Sequence, residues 1–570
     1  MNKSSVFNLA NYVKADDEES LHISIRKIPF FEWVLTNVNR LSEEFLKCVY
    51  LNLVDLGENA DVFEQLLLKK LSEEQQVTFT KIQEDSFVAD YTATYQAFQL
   101  FGYSPNQEEH PTETPAECVL RHHLDFLLKR RGIERNDGKY RFNANVFAHY
   151  VLSRVAFIQT SDERIYAYSI EGKYEFISDN LFKTICAAIV REVDETIWRK
   201  SWESEYMAAL KVLIPIESEF DGDINIINLK NGYFHLDSGK IVPHHSNYIS
   251  TNQLPIYYDP KAKAPKFKEF LNDVFENDEE RYDLIKNIMG YILHKGTPIH
   301  KVFIFTGSGS NGKSVLAKIL TRLYGEFNVS STPLNEMEGA FGIQDLDGKL
   351  VNIASENETT LKVNTQRLKA ITSGDSILIN KKHQAPKTKA LYVKLILLLN
   401  RLFITDDHSN GLYRRLTIIP FYRTYVESKQ VLLENQAYMN PKLEMELLEE
   451  LSGIFNFAYE GYQQLKESNW ELPSCEASES ELRKFKVLND SVGTFVDECL
   501  EYAKGATILQ SDISKKYTTW VDTNSITNFI PLGTASILSN CKEAIQRKNW
   551  SVGEKKSNGQ KLWVNLRFKK

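Results

Sequence analysis

The residues with the clearest potential for chemistry form a glycine-rich stretch near the middle of the chain. Eight of them follow the pattern G-x-x-x-x-G-K-S: Gly307, Ser308, Gly309, Ser310, Asn311, Gly312, Lys313 and Ser314. Backbone N–H groups of such a loop converge on phosphate oxygens, because glycine lets the backbone approach them closely. We expect Lys313 to reach the β- and γ-phosphates and Ser314 to bind Mg²⁺. A β-type segment at 302–305 precedes the loop and a helix-type segment at 315–323 follows it. The pattern therefore predicts binding and hydrolysis of a nucleoside triphosphate.

Carboxylates follow the next apolar segment, where residues 350–358 read LVNIASENE. Glu356 and Glu358 come at the end of the strand that these letters predict. A carboxylate at a strand end beside a phosphate-binding loop can bind Mg²⁺ through water or polarise the attacking water. A solvated acidic loop is the alternative, and the residue types alone do not decide between the two.

Polar residues also flank two later apolar segments. Asn400 ends the very apolar run 395–399, a position from which an amide can orient water against a γ-phosphate. Arg414 and Arg415 immediately precede another apolar run. An arginine supplied across a subunit boundary stabilises the charge that develops on a transferred phosphoryl group. The alternatives are an asparagine that merely terminates a strand and an exposed basic pair at a strand edge.

The order and spacing of these features resemble those of the superfamily 3 helicases, a branch of the ring-forming ATPases, and within them the phage and plasmid primase-helicase group. The loop of that family carries Asn before its second glycine, as Asn311 does here. Its third motif ends an apolar strand in Asn, and Asn400 matches it. Its arginine finger lies shortly downstream and maps to Arg415, with Arg414 as the second choice.

The resemblance also implies a β-hairpin between the second and third motifs, whose tip grips single-stranded DNA inside a ring. Lys382 and His383 match the residues of this tip, and Lys381 lies beside them as a further candidate contact. The second motif departs from the family pattern, because Asn357 separates the two acids. Ser314 and Glu356 are the candidate Mg²⁺ ligands, but which glutamate serves the metal and which serves the water stays open.

The resemblance covers residues 205–425, and the layout looks most like that of the replication initiator-helicases of staphylococcal pathogenicity islands. It implies a homohexamer that binds ATP and Mg²⁺ between subunits and moves 3′→5′ along single-stranded DNA in its pore. A separate primase is a further candidate partner.

Composition is that of a globular protein with several domains. The chain has 570 residues, of which 42% are hydrophobic and 12% aromatic, and this excludes a disordered chain. The amino terminus shows no signal-peptide pattern, and no apolar run reaches about 18 residues, so we expect neither export nor a membrane span. The six cysteines form no C-x-x-C pair. This argues against a zinc ribbon or a disulfide framework and favours a reducing cytoplasm.

We predict a multidomain α/β protein with a central, AAA+-like ring ATPase of the superfamily 3 type. A mainly helical amino-terminal region covers 1–200, and a motor-associated or oligomerisation segment covers 201–295. The ATPase covers 296–425, a helical connection 426–486, and a winged helix 487–570.

The carboxyl-terminal segment carries a local excess of positive charge. The chain as a whole has a formal net charge of −8, but residues 541–570 contain nine basic and two acidic residues, a local charge of +7. A helix over 534–548 and a hairpin turning at Asn558-Gly559 predict a duplex-binding helix and wing. The candidate DNA contacts are Lys542, Gln546 and Arg547 on the helix, and Lys555, Lys556 and Lys561 on the wing. A small protein-interaction domain with a solvated basic edge is the alternative.

These features together predict a hexameric, ATP-dependent DNA helicase and replication initiator that binds origin DNA through its last domain. Two alternatives stay open: an ATP-switched DNA-binding module that does not translocate, and a fused primase-helicase. The acidic pair Asp221-Gly222-Asp223, the nearest candidate for primase chemistry, has the pattern of a turn.

Overall fold

The structure is a computed structural model of the chain. It describes residues 29–56, 61–84, 115–136, 139–217, 220–356, 363–382, 385–427, 433–523, 532–557 and 559–569. The chain divides into two compact units, Met1–Phe220 and Asp221–Lys570. This boundary lies beyond the predicted domain limit at residue 200, and the finer division into five domains stays a prediction.

The first unit is helical at its beginning and mixed further on. Its helices are α1 Pro29–Thr36, α2 Glu43–Leu56, α3 Asp61–Lys70, α4 Glu73–Glu84, α5 Pro115–Arg130, α6 Ala144–Arg154, α7 Asp179–Arg191 and α8 Lys200–Leu213. Its strands are β1 Ile133–Asn136, β2 Lys139–Phe142, β3 Phe157–Gln159, β4 Ile165–Tyr168 and β5 Tyr174–Ile177. α1–α4 share one apolar core, whereas α6–α8 pack with β3–β5 around another.

The second unit contains the glycine-rich loop. Its strands are β6 Ile226–Leu229, β7 Gly232–His235, β8 Lys240–Val242, β9 Gln253–Leu254, β10 Val302–Thr306, β11 Val329–Ser330, β12 Val351–Glu356, β13 Ser376–Ile379, β14 Lys387–Ala390, β15 Lys394–Leu399, β16 Leu416–Pro420, β17 Thr424–Val426, β18 Gln436–Tyr438, β19 Leu500–Leu509, β20 Gly553–Ser557 and β21 Gln560–Phe568. Its helices are α9 Pro265–Val274, α10 Glu279–Leu293, α11 Lys313–Tyr324, α12 Gln366–Ser373, α13 Asn410–Tyr413, α14 Leu443–Leu448, α15 Leu451–Glu467, α16 Glu476–Asn489, α17 Ser491–Cys499, α18 Gln510–Thr523 and α19 Thr534–Arg547.

A parallel sheet lies at the centre of this unit, in the strand order β11-β12-β15-β10-β16. β10 reads VFIFT, β15 KLILLL and β16 LTIIP, and nearly every residue in them is buried. Uninterrupted apolar runs of this kind are typical of parallel strands that are covered on both faces. Alternate residues of β10 accordingly enter two different cores, Phe303 and Phe305 on one face and Val302 and Ile304 on the other.

The register of this sheet brings the carboxyl ends of its strands to one edge. Thr306 of β10 is paired with Leu399 of β15 and with Pro420 of β16. Leu399 is paired in turn with Glu356 of β12. The loops that follow these four strands therefore leave the sheet side by side, which is where ligands bind in open α/β sheets.

Helices before and after the sheet in sequence pack together on one of its faces. α10 and α15 meet at two glycines, because a Cβ on Gly290 would lie 2.1 Å from the Tyr462 nitrogen and one on Gly461 would lie 2.0 Å from the Lys286 oxygen. Any larger residue at either position would force the two helices apart. The segments predicted as a motor-associated region and as a helical connection thus form one layer.

The last part of the chain has a core of its own, built from α17–α19 and the antiparallel sheet β19-β21-β20. Tyr517 and Trp520 of α18 are buried in it, as the helical pattern predicts. α16 leads into this core: Phe485 packs into the apolar core beside the parallel sheet, whereas Val487 packs into the carboxyl-terminal core.

Candidate active site

The glycine-rich loop runs from the end of β10 to the first residue of α11. Three of its residues have left-handed backbone, with φ of +108° at Gly309, +49° at Ser310 and +87° at Gly312. Where such residues alternate with right-handed ones, successive N–H groups point to one side and form a nest that binds anions. A side chain at Gly312 would also collide with Val274 of α9, because its Cβ would lie 2.8 Å from Cγ2.

Asn311 holds the loop in this conformation. Its buried side chain accepts hydrogen bonds from the Gly309 N–H at 2.7 Å and the Lys313 ammonium at 2.9 Å, and it donates to the Arg423 carbonyl at 3.2 Å. The Tyr425 N–H adds a bond to the Ser310 carbonyl at 2.7 Å. Hydrogen bonds to the backbone of the segment after β16 therefore hold the loop on one side.

Lys313 carries a charge in a mostly desolvated position. Its side chain is 6% exposed and also donates to the Gly307 carbonyl at 2.7 Å. Burial lowers its pKa to about 8. The two oxygen atoms it bonds carry no formal charge, so the site still favours an anion near the ammonium group.

A cavity of about 710 Å³ opens beside the loop. Residues 309–315 and Asn400 line one part of it, and Phe270, Tyr425 and Tyr438 line another. Tyr425 donates a hydrogen bond to the Asp273 carboxylate at 2.6 Å. Burial, and then this bond, raise the pKa of Tyr425. The volume and the mixture of polar loop and aromatic wall suit a nucleotide.

Sequence reasoning missed the wall residues Phe270, Asp273, Tyr425 and Tyr438. They come from α9, β17 and β18, which are far from the loop in sequence. One of them, Asp273, is also ion-paired with Arg423 at 3.0 Å. The aromatic residues after β16 were the available signal, but nothing in their spacing shows that the chain turns back to the loop.

The candidate water-orienting and acidic residues lie at the same edge of the sheet. Asn400 directly follows β15, is exposed and borders the cavity. Glu356 is the last residue of β12, two strands from β10, which corresponds to about 10 Å between strand axes. Glu358 lies outside the described residues. Ser314 is exposed at the start of α11, beside the cavity, where its hydroxyl fits a Mg²⁺-bound triphosphate.

The two candidate arginines have different surroundings. Arg415 is buried, and its guanidinium donates to the Gly411 carbonyl and the Ser373 hydroxyl of the same chain. Burial and the charge of Arg414 lower the pKa of Arg415. Arg414, by contrast, is exposed at the end of α13.

β13 and β14, which lie between β12 and β15 in sequence, form an antiparallel hairpin of their own. Ile379 and Lys387 are the paired residues next to its tip. Lys381 is ion-paired with Asp347 at 2.6 Å, and Lys389 reaches the same carboxylate at 3.1 Å. Burial alone would raise the pKa of Asp347, but these two partners lower it overall. Lys382 is exposed, whereas His383 lies outside the described residues.

The carboxyl-terminal candidates are all exposed, but two of them form ion pairs with carboxylates of the chain. Gln546, Lys555, Lys556 and Lys561 are exposed. Lys542 is paired with Glu554 at 3.1 Å within the segment. Arg547 instead contacts Asp490 at 2.6 Å, so this predicted base-reading residue is engaged by another part of the chain.

Comparison with known proteins adds relatives for separate stretches of the sequence. Residues 305–415, which contain the loop and both arginines, match a family of unknown function (DUF5906). Residues 144–276 match the family D5 N terminal like. Each match covers less than half of the chain.

Two curated relatives are viral. The chain is 24% identical over 216 residues to "Putative helicase L207/L206" of Acanthamoeba polyphaga mimivirus, which is 36% of this chain and 22% of that protein. It is 26% identical over 180 residues to "Putative helicase 022R" of Frog virus 3 (isolate Goorha), which is 30% of this chain and 18% of that protein. The chain thus spans about a fifth of the length of these relatives. The matches relate stretches of this chain to viral proteins named as putative helicases, and they do not support the narrower resemblance to staphylococcal island proteins.

Among solved structures, two apo structures of the NrS-1 C terminal region are similar to this chain. One has 14% identity and a TM-score of 0.39, and covers 78% of this chain and 98% of that one. The other has 15% identity and a TM-score of 0.42, and the match covers 78% of this chain and 99% of that one.

The described ranges contain neither a membrane-spanning helix nor a metal cluster. None of the helices assigned there is long and apolar enough to cross a membrane. No group of three His, Cys, Asp or Glu residues with metal-binding geometry occurs among the side chains that the structure describes.

Proposed function

We propose that this chain is a subunit of an ATP-driven DNA helicase that acts in replication. The observation that carries the proposal is the joint placement, in one compact unit, of a glycine-rich loop with a buried lysine, a strand-end Asn400 at the same cavity, and a basic hairpin. The viral relatives named as helicases support the same class of activity.

The residues of the site then have distinct roles. Lys313 and the N–H groups of the loop bind and orient the β- and γ-phosphates, and Asn311 keeps the loop in its binding conformation. Ser314 and Glu356 would hold Mg²⁺, which when bound supplies positive charge at the phosphate oxygens. Asn400 orients the attacking water, and a glutamate of the 356–358 pair polarises it.

The remaining steps involve other subunits and DNA. We propose a homohexamer in which Arg414 of one subunit faces the nucleotide bound by the next, because Arg414 is exposed whereas Arg415 is held inside its own chain. The Lys382–His383 tip follows single-stranded DNA with 3′→5′ polarity, through contacts to phosphates that tolerate any sequence. The carboxyl-terminal segment binds duplex origin DNA as a winged helix.

Strand separation tests the proposal. Wild-type protein should unwind a forked duplex with ATP but not with a non-hydrolysable analogue, and Lys313→Ala should abolish unwinding. Lys318→Ala is the matched control, because Lys318 lies on the same helix but is exposed and paired with Glu444 at 2.7 Å. ATP hydrolysis without strand separation would favour an ATP-switched binding module, and primer synthesis would favour a fused primase-helicase.

A further inference from the structure

The exposed Arg414 is carried by a short, tightly bonded loop. Asp407 accepts hydrogen bonds from Thr365, Lys369 and Ser409 at 2.5 to 2.7 Å. The Ser409 hydroxyl caps α13 by accepting from the Leu412 N–H at 3.3 Å. Because α13 has a single turn and ends next to Arg414, the position of Arg414 depends on what holds the residues at 403–413.

The carboxyl-terminal part of the chain contacts this loop at several points. Asn489 accepts a hydrogen bond from the Thr405 N–H at 2.8 Å. The centroid of the Phe485 ring lies 5.1 Å from the centroid of the Phe403 ring and 6.2 Å from that of the Tyr413 ring. The loop is thus supported by α16, the helix that continues into the carboxyl-terminal core.

Arg547, the last residue of α19, also contacts this loop. Its guanidinium bonds the Asp490 carboxylate at 2.6 Å and the His408 carbonyl at 3.4 Å. Asp490 also caps α17 by accepting from the Gly493 N–H at 2.8 Å. One side chain therefore connects the predicted recognition helix, the junction after α16 and the loop that carries Arg414.

The junction around this contact is incompletely bonded. Arg547, Asp490, His408 and Tyr413 line a cavity of about 270 Å³. Tyr413 is 7% exposed, and within the described part of the chain neither its hydroxyl nor Nδ1 of His408 has a hydrogen-bond partner. The cavity and these unpaired groups leave room for the junction to rearrange when the Arg547–Asp490 pair is broken.

We propose that Arg547 is a positioning residue for ATP hydrolysis: by holding Asp490 and the His408 carbonyl, it fixes the loop that presents Arg414. The inference rests on the proposed ATPase function. It places a residue of the carboxyl-terminal segment in control of the motor, and it gives Arg547 a role within the chain that is separate from the predicted contact with DNA.

Steady-state ATPase kinetics of the full chain test this role. Arg547→Ala and Asp490→Asn should each lower kcat by about 2- to 30-fold, the range of measured coupling effects, while KM for ATP changes less than twofold. The double variant should lose no more than the worse single variant, because the two changes remove one contact. Arg547→Lys should recover part of kcat.

Arg567→Ala is the matched control, since Arg567 is also paired with a carboxylate, Glu501, within the same segment. An unchanged kcat in both Arg547→Ala and Asp490→Asn, additive losses in the double variant, or an equal loss in Arg567→Ala would overturn the inference. Absence of ATPase activity in the wild type would instead overturn the proposed function. Asp490→Asn retains a side chain able to cap α17, so the test does not depend on Arg547→Ala folding.

Discussion

Lys313 lies in surroundings that would favour a bound anion. The ammonium group is buried among neutral oxygens of the loop, and burial lowers its pKa to about 8. A triphosphate beside it would favour the charged form, so nucleotide binding and protonation of Lys313 are linked.

We predict that the affinity for a non-hydrolysable ATP analogue falls as pH rises above about 8. Below this pH Lys313 is already charged in the protein without nucleotide, whereas above it binding must take up a proton. The dissociation constant should then rise by up to about tenfold per pH unit. Anisotropy titrations between pH 7.5 and 9.5 measure this slope. Lys313→Arg, which stays charged throughout, should show a flatter dependence, and equal slopes for both proteins would contradict the assignment.

Arg414 and Arg415 are predicted to differ in kind. Arg414→Ala should bind ATP but not hydrolyse it, and mixing it with Lys313→Ala should restore activity at interfaces that retain one intact lysine and one intact Arg414. Arg415→Ala should instead lower the free energy of unfolding by about 1–3 kcal/mol, because it leaves Ser373 and the Gly411 carbonyl without their donor. Denaturant unfolding and mixed-subunit ATPase assays separate the two effects. Recovery with Arg415→Ala but not with Arg414→Ala would return the trans role to Arg415.

At the scale of elements, the β13–β14 hairpin is held by two ion pairs close to its tip, one from Lys381 just beyond β13 and one from Lys389 in β14. Asp347 fixes Lys381 and Lys389, so the basic residues of the hairpin are not equivalent. Lys382, the next residue after Lys381, is exposed, and its contact with a strand of DNA would cost neither of the two ion pairs.

Substitution at the tip should uncouple the motor from DNA. We expect Lys382→Ala with His383→Ala to keep basal ATPase activity but to lose unwinding and stimulation by single-stranded DNA, because no described residue of the hairpin lines the cavity beside the glycine-rich loop. ATPase assays with and without DNA, and unwinding assays on the same preparations, measure both quantities. Asp347→Asn, which removes the shared partner of Lys381 and Lys389, should weaken the same coupling because the tip loses its fixed position. Wild-type unwinding by the double alanine variant would remove the tip from the mechanism.

Local sequence patterns predict many of the strands and helices around the candidate site. They predict few of the contacts between residues that are distant in sequence. The strand before the loop, the helix after it, the strand ending at Asn400 and the carboxyl-terminal hairpin all follow from apolar periodicity and turn residues. Three contacts do not follow from these patterns: the hydrogen bond of buried Arg415 to Ser373, the Lys381–Asp347 pair and the Arg547–Asp490 pair. Each joins residues more than thirty positions apart, and exposed and buried arginines have the same sequence signal.

The distribution of charge over the whole molecule limits where duplex DNA can bind. The chain is acidic overall, and part of the basic carboxyl-terminal excess is neutralised within the structure. Lys542, Arg547, Lys548 and Arg567 are each paired with a carboxylate. The hairpin lysines Lys555, Lys556 and Lys561 are exposed, which makes them the candidates for phosphate contacts.

The salt dependence of duplex binding tests this surface. Replacing Lys555, Lys556 and Lys561 by alanine in the full chain should weaken binding to duplexes of any sequence, because phosphate contacts carry no sequence information. For each lysine that binds a phosphate, its replacement should reduce the slope of log affinity against log salt concentration by about 0.9, since fewer counterions are released from the DNA. Titrations of a labelled duplex at several salt concentrations give this slope. Arg567→Ala, whose partner is Glu501, should leave it unchanged. A triple variant with the wild-type slope would show that the hairpin lysines do not bind phosphates and that duplex DNA binds elsewhere on the molecule.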